Sequence, residues 1–237
     1  MEDGMQGRYE RALIVGVGGG LSASLARLLA REGMRVGLAA RSVEKLAGLA
    51  AETGAVTQRC DATVPGEVEA LFAAMDGALG GAPDVVVYNA SHRVRGPLVT
   101  LDPAEVARTL AVSAFGGFLV AQTAAKRMLP ARKGAILFTG ASASVKGYPQ
   151  SAPFAMGKFA LRGLAQSLAR ELQPQGIHVA HVVIDGGIRS ARRPEPTEAP
   201  DSLLDPDAIA RSYLDLLRQD RSAWASEIEL RPWVERF

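Results

Sequence analysis

Short apolar, β-branched runs alternate along this chain with longer stretches in which apolar residues return every three or four positions. The spacing predicts strands at Ala12 to Val15, Val36 to Ala39, Val56 to Cys60, Val85 to Tyr88, Ala135 to Thr139 and Ile177 to Ile184. Between them it predicts helices over Leu21 to Arg31, Val43 to Ala51, Val68 to Leu79, Pro103 to Leu129 and Ala152 to Leu172, with a further one at Ala208 to Leu217. This rhythm is that of a parallel α/β sheet covered by helices on both faces. Asp102-Pro103-Ala104-Glu105 offers a capping aspartate, a first-turn proline and a reciprocal glutamate for the long fourth helix. Gly176 marks the exit of the helix that begins at Ala152. Arg189 to Asp207 holds Pro194, Pro196, Pro200 and Pro206 among mixed charges, and reads as a surface loop, either a lid over a pocket or a solvated connection.

One charge interrupts an apolar stripe. Phe154, Leu161, Ala165, Leu168 and Leu172 share a helical face with Lys158. A buried ammonium without partners costs several kcal/mol or loses its proton. Lys158 is therefore either bound to something or snorkels to water along its stem.

Composition narrows the picture. A chain of 237 residues, 48% of them hydrophobic, suits a single domain with a sizeable core. The 27 basic and 25 acidic residues leave a net charge of +2, too small to argue for a nucleic-acid or anionic-membrane partner. Cys60 is the sole cysteine, which leaves no internal disulfide or thiolate cluster and suits a reducing compartment. His178 and His181, three apart in a strand, face opposite sides and cannot share a metal ion, so no metal site is expected. Residues Met1 to Glu10 are polar, lack the apolar centre of a secretory signal and read as a flexible N-terminus. Arg27, Arg31 and Glu32, and later Lys126 and Arg127, keep every uncharged apolar run short of the roughly 18 residues of a membrane span. A soluble, cytoplasmic protein is expected.

After the first strand comes Gly16-Val17-Gly18-Gly19-Gly20-Leu21-Ser22, and a helix begins at once. Glycines let the backbone approach a pyrophosphate, and a helix start supplies free N–H groups and a positive dipole end. The cluster is either a dinucleotide site involving Gly16, Gly18, Gly19, Gly20 and Leu21 or a tight turn. At the end of the second strand, where a dinucleotide fold commonly offers an acid to the adenine ribose, the chain has Arg41. A guanidinium there pairs with a 2′-phosphate and favours NADP(H) over NAD(H); the alternative is a surface arginine beside the helix cap Ser42.

With these marks the chain resembles the short-chain dehydrogenase/reductase superfamily from Ala12 to about Leu230. Gly16 and Gly20 match its Gly-x-x-x-Gly-x-Gly loop, with Ser22 in the third glycine's place. Asp61-Ala62 matches its adenine-contacting acid after the third strand, and Asn89-Ala90-Ser91 its Asn-Ala-Gly turn after the fourth. The resemblance implies a Rossmann-type doubly wound parallel sheet in a single domain, a nicotinamide cofactor across the carboxyl ends of its strands, and a homodimer or homotetramer built on the two long helices. It also implies a catalytic set of Asn, Ser, Tyr and Lys, from which this sequence departs. Ser113 follows Val112 where the family has Asn, Ala141 stands at the serine's place, and Phe154 stands four residues before Lys158 where the family has Tyr. The family's Pro-Gly after the sixth strand is replaced by Ile184-Asp185-Gly186-Gly187-Ile188; Gly186 and Ile188 can still offer backbone to the carboxamide, and Asp185 is a turn former or an acid–base group.

Phenylalanine exchanges no proton, so carbonyl reduction needs another relay. The resemblance also implies that Lys158 holds the nicotinamide ribose. Ser142, His92, Tyr148 and Tyr88 are the polar groups near the emptied centre, with Ser142 and His92 foremost beside Lys158. Two readings follow. One is an NADP(H)-dependent oxidoreductase acting on a small-molecule carbonyl or alcohol through an atypical relay. The other keeps the nucleotide fold without redox turnover, as a non-redox enzyme, a cofactor sensor or an assembly partner.

Overall fold

The computed structural model describes residues 9–235. The expected flexible N-terminus lies outside the described residues except for Tyr9 and Glu10, and Glu10 donates its backbone N–H to the Asp84 carboxylate at 3.1 Å. The strands are β1 (Arg11–Val15), β2 (Arg35–Ala40), β3 (Val56–Arg59), β4 (Val85–Tyr88), β5 (Gly134–Thr139), β6 (Ile177–Ile184), β7 (Gly187–Ile188), β8 (Leu203–Leu204) and β9 (Glu227–Leu230). The helices are α1 (Leu21–Arg31), α2 (Ala47–Thr53), α3 (Pro65–Ala78), α4 (Pro103–Leu110), α5 (Gly116–Met128), α6 (Ala152–Leu172) and α7 (Pro206–Leu217).

Seven strands form one parallel sheet in the order β3-β2-β1-β4-β5-β6-β9. β4, β5 and β6 are buried at every position, as strands covered on both faces must be, and each large side chain there contributes about 1.5–3 kcal/mol by leaving water. One core layer lies between the sheet and α3, α5 and α6, and the other between the sheet and α1 and α7. This is a single-domain Rossmann-type α/β fold. Val15 pairs with Ala39 on one side and Tyr88 on the other. The loops after β1, β2 and β4 therefore open together, where the strand order reverses.

The long fourth helix is not uniform. A π-helical turn, Ala111–Phe115, separates α4 from α5. The Tyr88 hydroxyl donates to the Val112 carbonyl in this turn, and a Cβ on Gly116 would lie 2.5 Å from that hydroxyl. A side chain inserted into the carbonyl ladder is a usual cause of such a bulge. Tyr88 is thus spent on shaping the helix and leaves the set of candidate proton donors. Pro103–Ala131 is, by length and composition, long and apolar enough to cross a membrane. One side of it, including Leu119, Val120, Ala124 and Met128, is core, whereas Phe115 and Phe118 stack on each other at 6.3 Å and are exposed.

Three further sequence expectations are corrected. Asp102 caps α4 through Ala104 N–H at 2.9 Å, but Glu105 does not complete a capping box; its carboxylate turns to His92 and Arg108. The loop expected to run to Asp207 ends earlier. Leu203 and Leu204 pair with Gly187 and Ile188, and Asp205 caps α7, which starts at Pro206. The Asp185 carboxylate meets cations rather than a turn N–H. It is buried between Lys146 at 3.1 Å and Arg231 at 3.6 Å, charge-paired as a buried carboxylate must be.

Candidate active site

A groove of about 800 Å³ runs along the carboxyl ends of β1, β2, β3 and β4. Gly16 adopts φ +89°, and a Cβ on it would sit 2.3 Å from the Ala90 backbone nitrogen, so only glycine permits this approach. On Gly18, Gly19 and Gly20, in contrast, an added Cβ meets nothing within 4 Å. The loop is thus packed inward and open outward. Ser22 explains the missing third glycine: its hydroxyl donates to the Gly16 carbonyl at 3.2 Å and accepts from the Asn89 amide at 2.5 Å, tying the loop to the turn after β4. α1 begins with no side-chain cap and no acid in its first turn. Its N–H donors and dipole end are left for an anion in the groove, which is the fit a pyrophosphate requires.

Arg41, Ser42 and Lys45 line one end of the groove beside Asp61, Ala62 and Thr63. Burial raises the Asp61 carboxyl pKa, but hydrogen bonds from the Thr63 backbone and hydroxyl, with the charges of Arg41 and Arg59, outweigh it and hold the acid below its ordinary range. Asn89, Ala90, Ile188 and, beyond them, Ser190, Ala191 and Arg192 line the other end. Gly186 stands off the lining, against Leu204 and Pro232.

Lys158, Ser142 and His92 do not line this groove. Lys158 is 3% exposed and donates from Nζ to the Thr139 carbonyl at 2.7 Å. Burial pushes its pKa down to about 8. Thr139 is anchored in turn by its hydroxyl, 2.8 Å from that of Tyr213. The Phe154 ring lies against two cations, with Lys158 Nζ 5.9 Å and the Arg93 guanidinium carbon 5.0 Å from its centroid. His92 Nε2 is 2.8 Å from Glu105 Oε2. Ser142, half-buried, opens the turn after β5, its carbonyl accepting from Val145 and Lys146. Tyr148 is exposed, with Lys146 Nζ 5.9 Å from its ring centroid.

A family model described as short chain dehydrogenase matches residues 10–198. The chain belongs to the short-chain dehydrogenase family. A short-chain dehydrogenase from Rhodopseudomonas palustris superposes with a TM-score of 0.82 at 34% identity, covering 96% of this chain and 100% of that one. A metagenomic short-chain oxidoreductase in complex with NADP gives 0.81 at 29% identity, covering 95% and 98%. An uncharacterized oxidoreductase of Staphylococcus aureus is 27% identical over 227 residues, 93% of this chain and 96% of its own. A nicotinamide nucleotide is accordingly the cofactor class of this family and fold.

Ser113, Ala141 and Phe154, which the resemblance sets against a catalytic Asn, Ser and Tyr, have surroundings of their own. Ser113 is buried in the π-helical turn, its hydroxyl without a hydrogen-bond partner, packed where a Cβ on Gly157 of α6 would lie 2.8 Å away. Ala141 donates its backbone N–H to the Ser144 hydroxyl at 3.1 Å. The sequence reading missed Thr63, Ser190, Ala191 and Arg192 in the groove. Thr63, two residues after an aspartate, carried a readable turn signal. The other three lie in a proline-rich loop where spacing says nothing about direction. It also missed the support beneath Lys158: His181 Nδ1 meets Glu227 at 3.0 Å, and Arg162 grips the same carboxylate at 2.6 and 2.7 Å. Burial lowers the His181 pKa despite Glu227.

Proposed function

We propose that this short-chain dehydrogenase is an NADP(H)-dependent oxidoreductase acting on a small-molecule carbonyl or alcohol with a proton relay that does not use a phenol. The observation that carries the reading is the groove itself, open above Gly18 to Gly20 and bounded at its far end by Arg41 and Lys45, with Arg41 at the end of β2. Two cations at that end suit a 2′-phosphate through charge-assisted hydrogen bonds, and the metagenomic relative at 29% identity was solved with NADP. When bound, the nicotinamide supplies the hydride. Gly18 to Leu21 would hold its pyrophosphate with backbone N–H groups, Asp61 and Ala62 would receive the adenine, and Asn89, Ala90 and Ile188 would flank the nicotinamide.

Lys158, its Nζ held by the Thr139 carbonyl at 2.7 Å and 5.9 Å from the Phe154 ring centroid, is the acid of this centre, and the burial that pushes its pKa down eases release of the proton. Ser142, half-buried in the turn after β5 and next to Ala141, is the hydroxyl assigned to the relay. His92 is committed to Glu105 and positions the loop after β4. Titrating NADPH and NADH against the fluorescence of Trp224 and Trp233 tests the cofactor assignment. NADPH is expected to bind at least tenfold more tightly, and Arg41→Ala to erase most of that difference. Equal or tighter binding of NADH overturns it.

The chain works in the cytoplasm, the reducing setting that its single cysteine suits, as a homodimer or homotetramer. Phe115 and Phe118 on one helical segment, and Met156 and Phe159 on the adjacent α6, are all exposed, an apolar face that self-association covers. Light scattering is expected to give a multiple of 24.9 kDa, and Phe118→Glu with Phe159→Glu to reduce it to the monomer. A monomeric unaltered protein contradicts this assembly.

A further inference from the structure

Three guanidinium groups meet at the emptied centre. Arg93, on the loop after β4, rests its guanidinium carbon 5.0 Å from the Phe154 ring centroid, the place where the family keeps its proton donor. Burial first, then the charges of Arg95 and Arg193, push the Arg93 pKa down, so both neighbours act on Arg93. Arg193 arrives from the other side of the site, its guanidinium over Gly187, where a Cβ would lie 2.6 Å from Nη1.

None of the three has a carboxylate partner among the described residues, although neighbouring cations do. Arg189 pairs with Asp205 at 2.9 Å, Lys146 with Asp185 at 3.1 Å and Arg108 with Glu105 at 3.4 Å. Both loops are also fixed in place. His92 binds Glu105, Gly96 N–H binds the Gln150 carbonyl at 3.0 Å, and Ser190 and Arg193 exchange backbone hydrogen bonds at 2.9 and 3.0 Å. A like-charge cluster held open by its scaffold is destabilising until an anion enters it. Arg93 is exposed with one face against a ring, so its N–H edge remains free, and that edge matches a planar carboxylate through two parallel hydrogen bonds.

We propose that the substrate is a carbonyl compound bearing a carboxylate, which Arg93, with Arg193 and Arg95, binds over the Phe154 ring. The assignment rests on the nicotinamide reading above, since it takes this centre to be the substrate side of the cofactor groove. The test titrates a panel of 2-oxo and 3-oxo carboxylates, each paired with its methyl ester, into the protein saturated with NADP⁺, where no reduction occurs. The acid of the best-binding pair is expected to bind at least tenfold more tightly than its ester. Arg93→Gln is expected to remove that preference while leaving NADP⁺ affinity within about threefold, and Arg193→Gln to reduce it. Esters binding as well as acids, a preference that survives Arg93→Gln, tighter binding of dihydroxyacetone phosphate than of any carboxylate, or no binding of any acid overturns the proposal. The titration is repeated without NADP⁺, and NADP⁺ binding is measured separately. Failure of the nucleotide to bind thus sinks the cofactor assignment alone, and failure of the acids sinks the substrate class alone.

Discussion

Replacing Phe154→Tyr together with Ala141→Ser is expected to raise NADPH-dependent reduction of a carbonyl panel by about a hundred- to ten-thousand-fold, the contribution of a positioned general acid. The ring of Phe154 already lies 5.9 Å from Lys158 Nζ and 5.0 Å from the Arg93 guanidinium. A hydroxyl added to it enters the field of two cations, which lowers a phenol's pKa towards the working pH. The serine joins a turn already organised by the Ala141 to Ser144 hydrogen bond. The rate is read from the loss of NADPH absorbance with the same panel for both proteins. An unchanged rate in a folded variant that still binds NADPH means that the scaffold lacks more than a proton donor.

A second large effect concerns stability. Lys158 has an ordinary pKa of 10.5 and a folded-state value of about 8. Between these values the unfolded chain holds a proton that the folded chain has released, so this group makes stability rise with pH across the window. Below about pH 8 its penalty is present in full, on the order of 3 kcal/mol, and above about 10.5 it is gone. Lys158→Met, similar in length and apolar, lacks the term. The stability of the unaltered protein relative to the variant is therefore expected to climb by about 2–3 kcal/mol from pH 7.5 to 10.5. Other groups titrating in that range, such as Cys60, whose thiol burial pushes up to about 11, occur in both proteins and cancel in the difference. Urea unfolding at a series of pH values measures it. Parallel profiles would mean that Lys158 reaches water.

Most of this architecture is legible in the amino-acid order because the strands are buried on both faces and the helices on one, which leaves periods that cannot be confused. α1, β4, α6 and β6 fall where the pattern puts them. β9 was missed because Glu227-Ile228-Glu229-Leu230 is short, at the sheet edge and half-buried, too brief an alternation to separate from a loop. The π-helical turn was missed because its cause, the Tyr88 hydroxyl, lies in a strand distant in sequence. The nucleotide groove is legible because its demands fall on backbone: glycine where the chain must approach Ala90, and a helix start without a cap. The substrate side was not. Whether Arg93 points at Phe154 or at water depends on the His92–Glu105 contact and the Gly96–Gln150 hydrogen bond, pairs that no spacing rule connects.

The measurement closest to the central claim is hydride accounting in the unaltered protein. With NADPH deuterated at the nicotinamide C4 and a broad panel of aldehydes, ketones and oxo acids, a working oxidoreductase without a phenol delivers deuterium to the carbon of the alcohol product, in a slow reaction that fades as pH rises through about 8. Deuterium that stays on the cofactor across the whole panel, in a protein that binds NADPH, contradicts the claim and leaves a nucleotide-binding protein that carries out no redox chemistry.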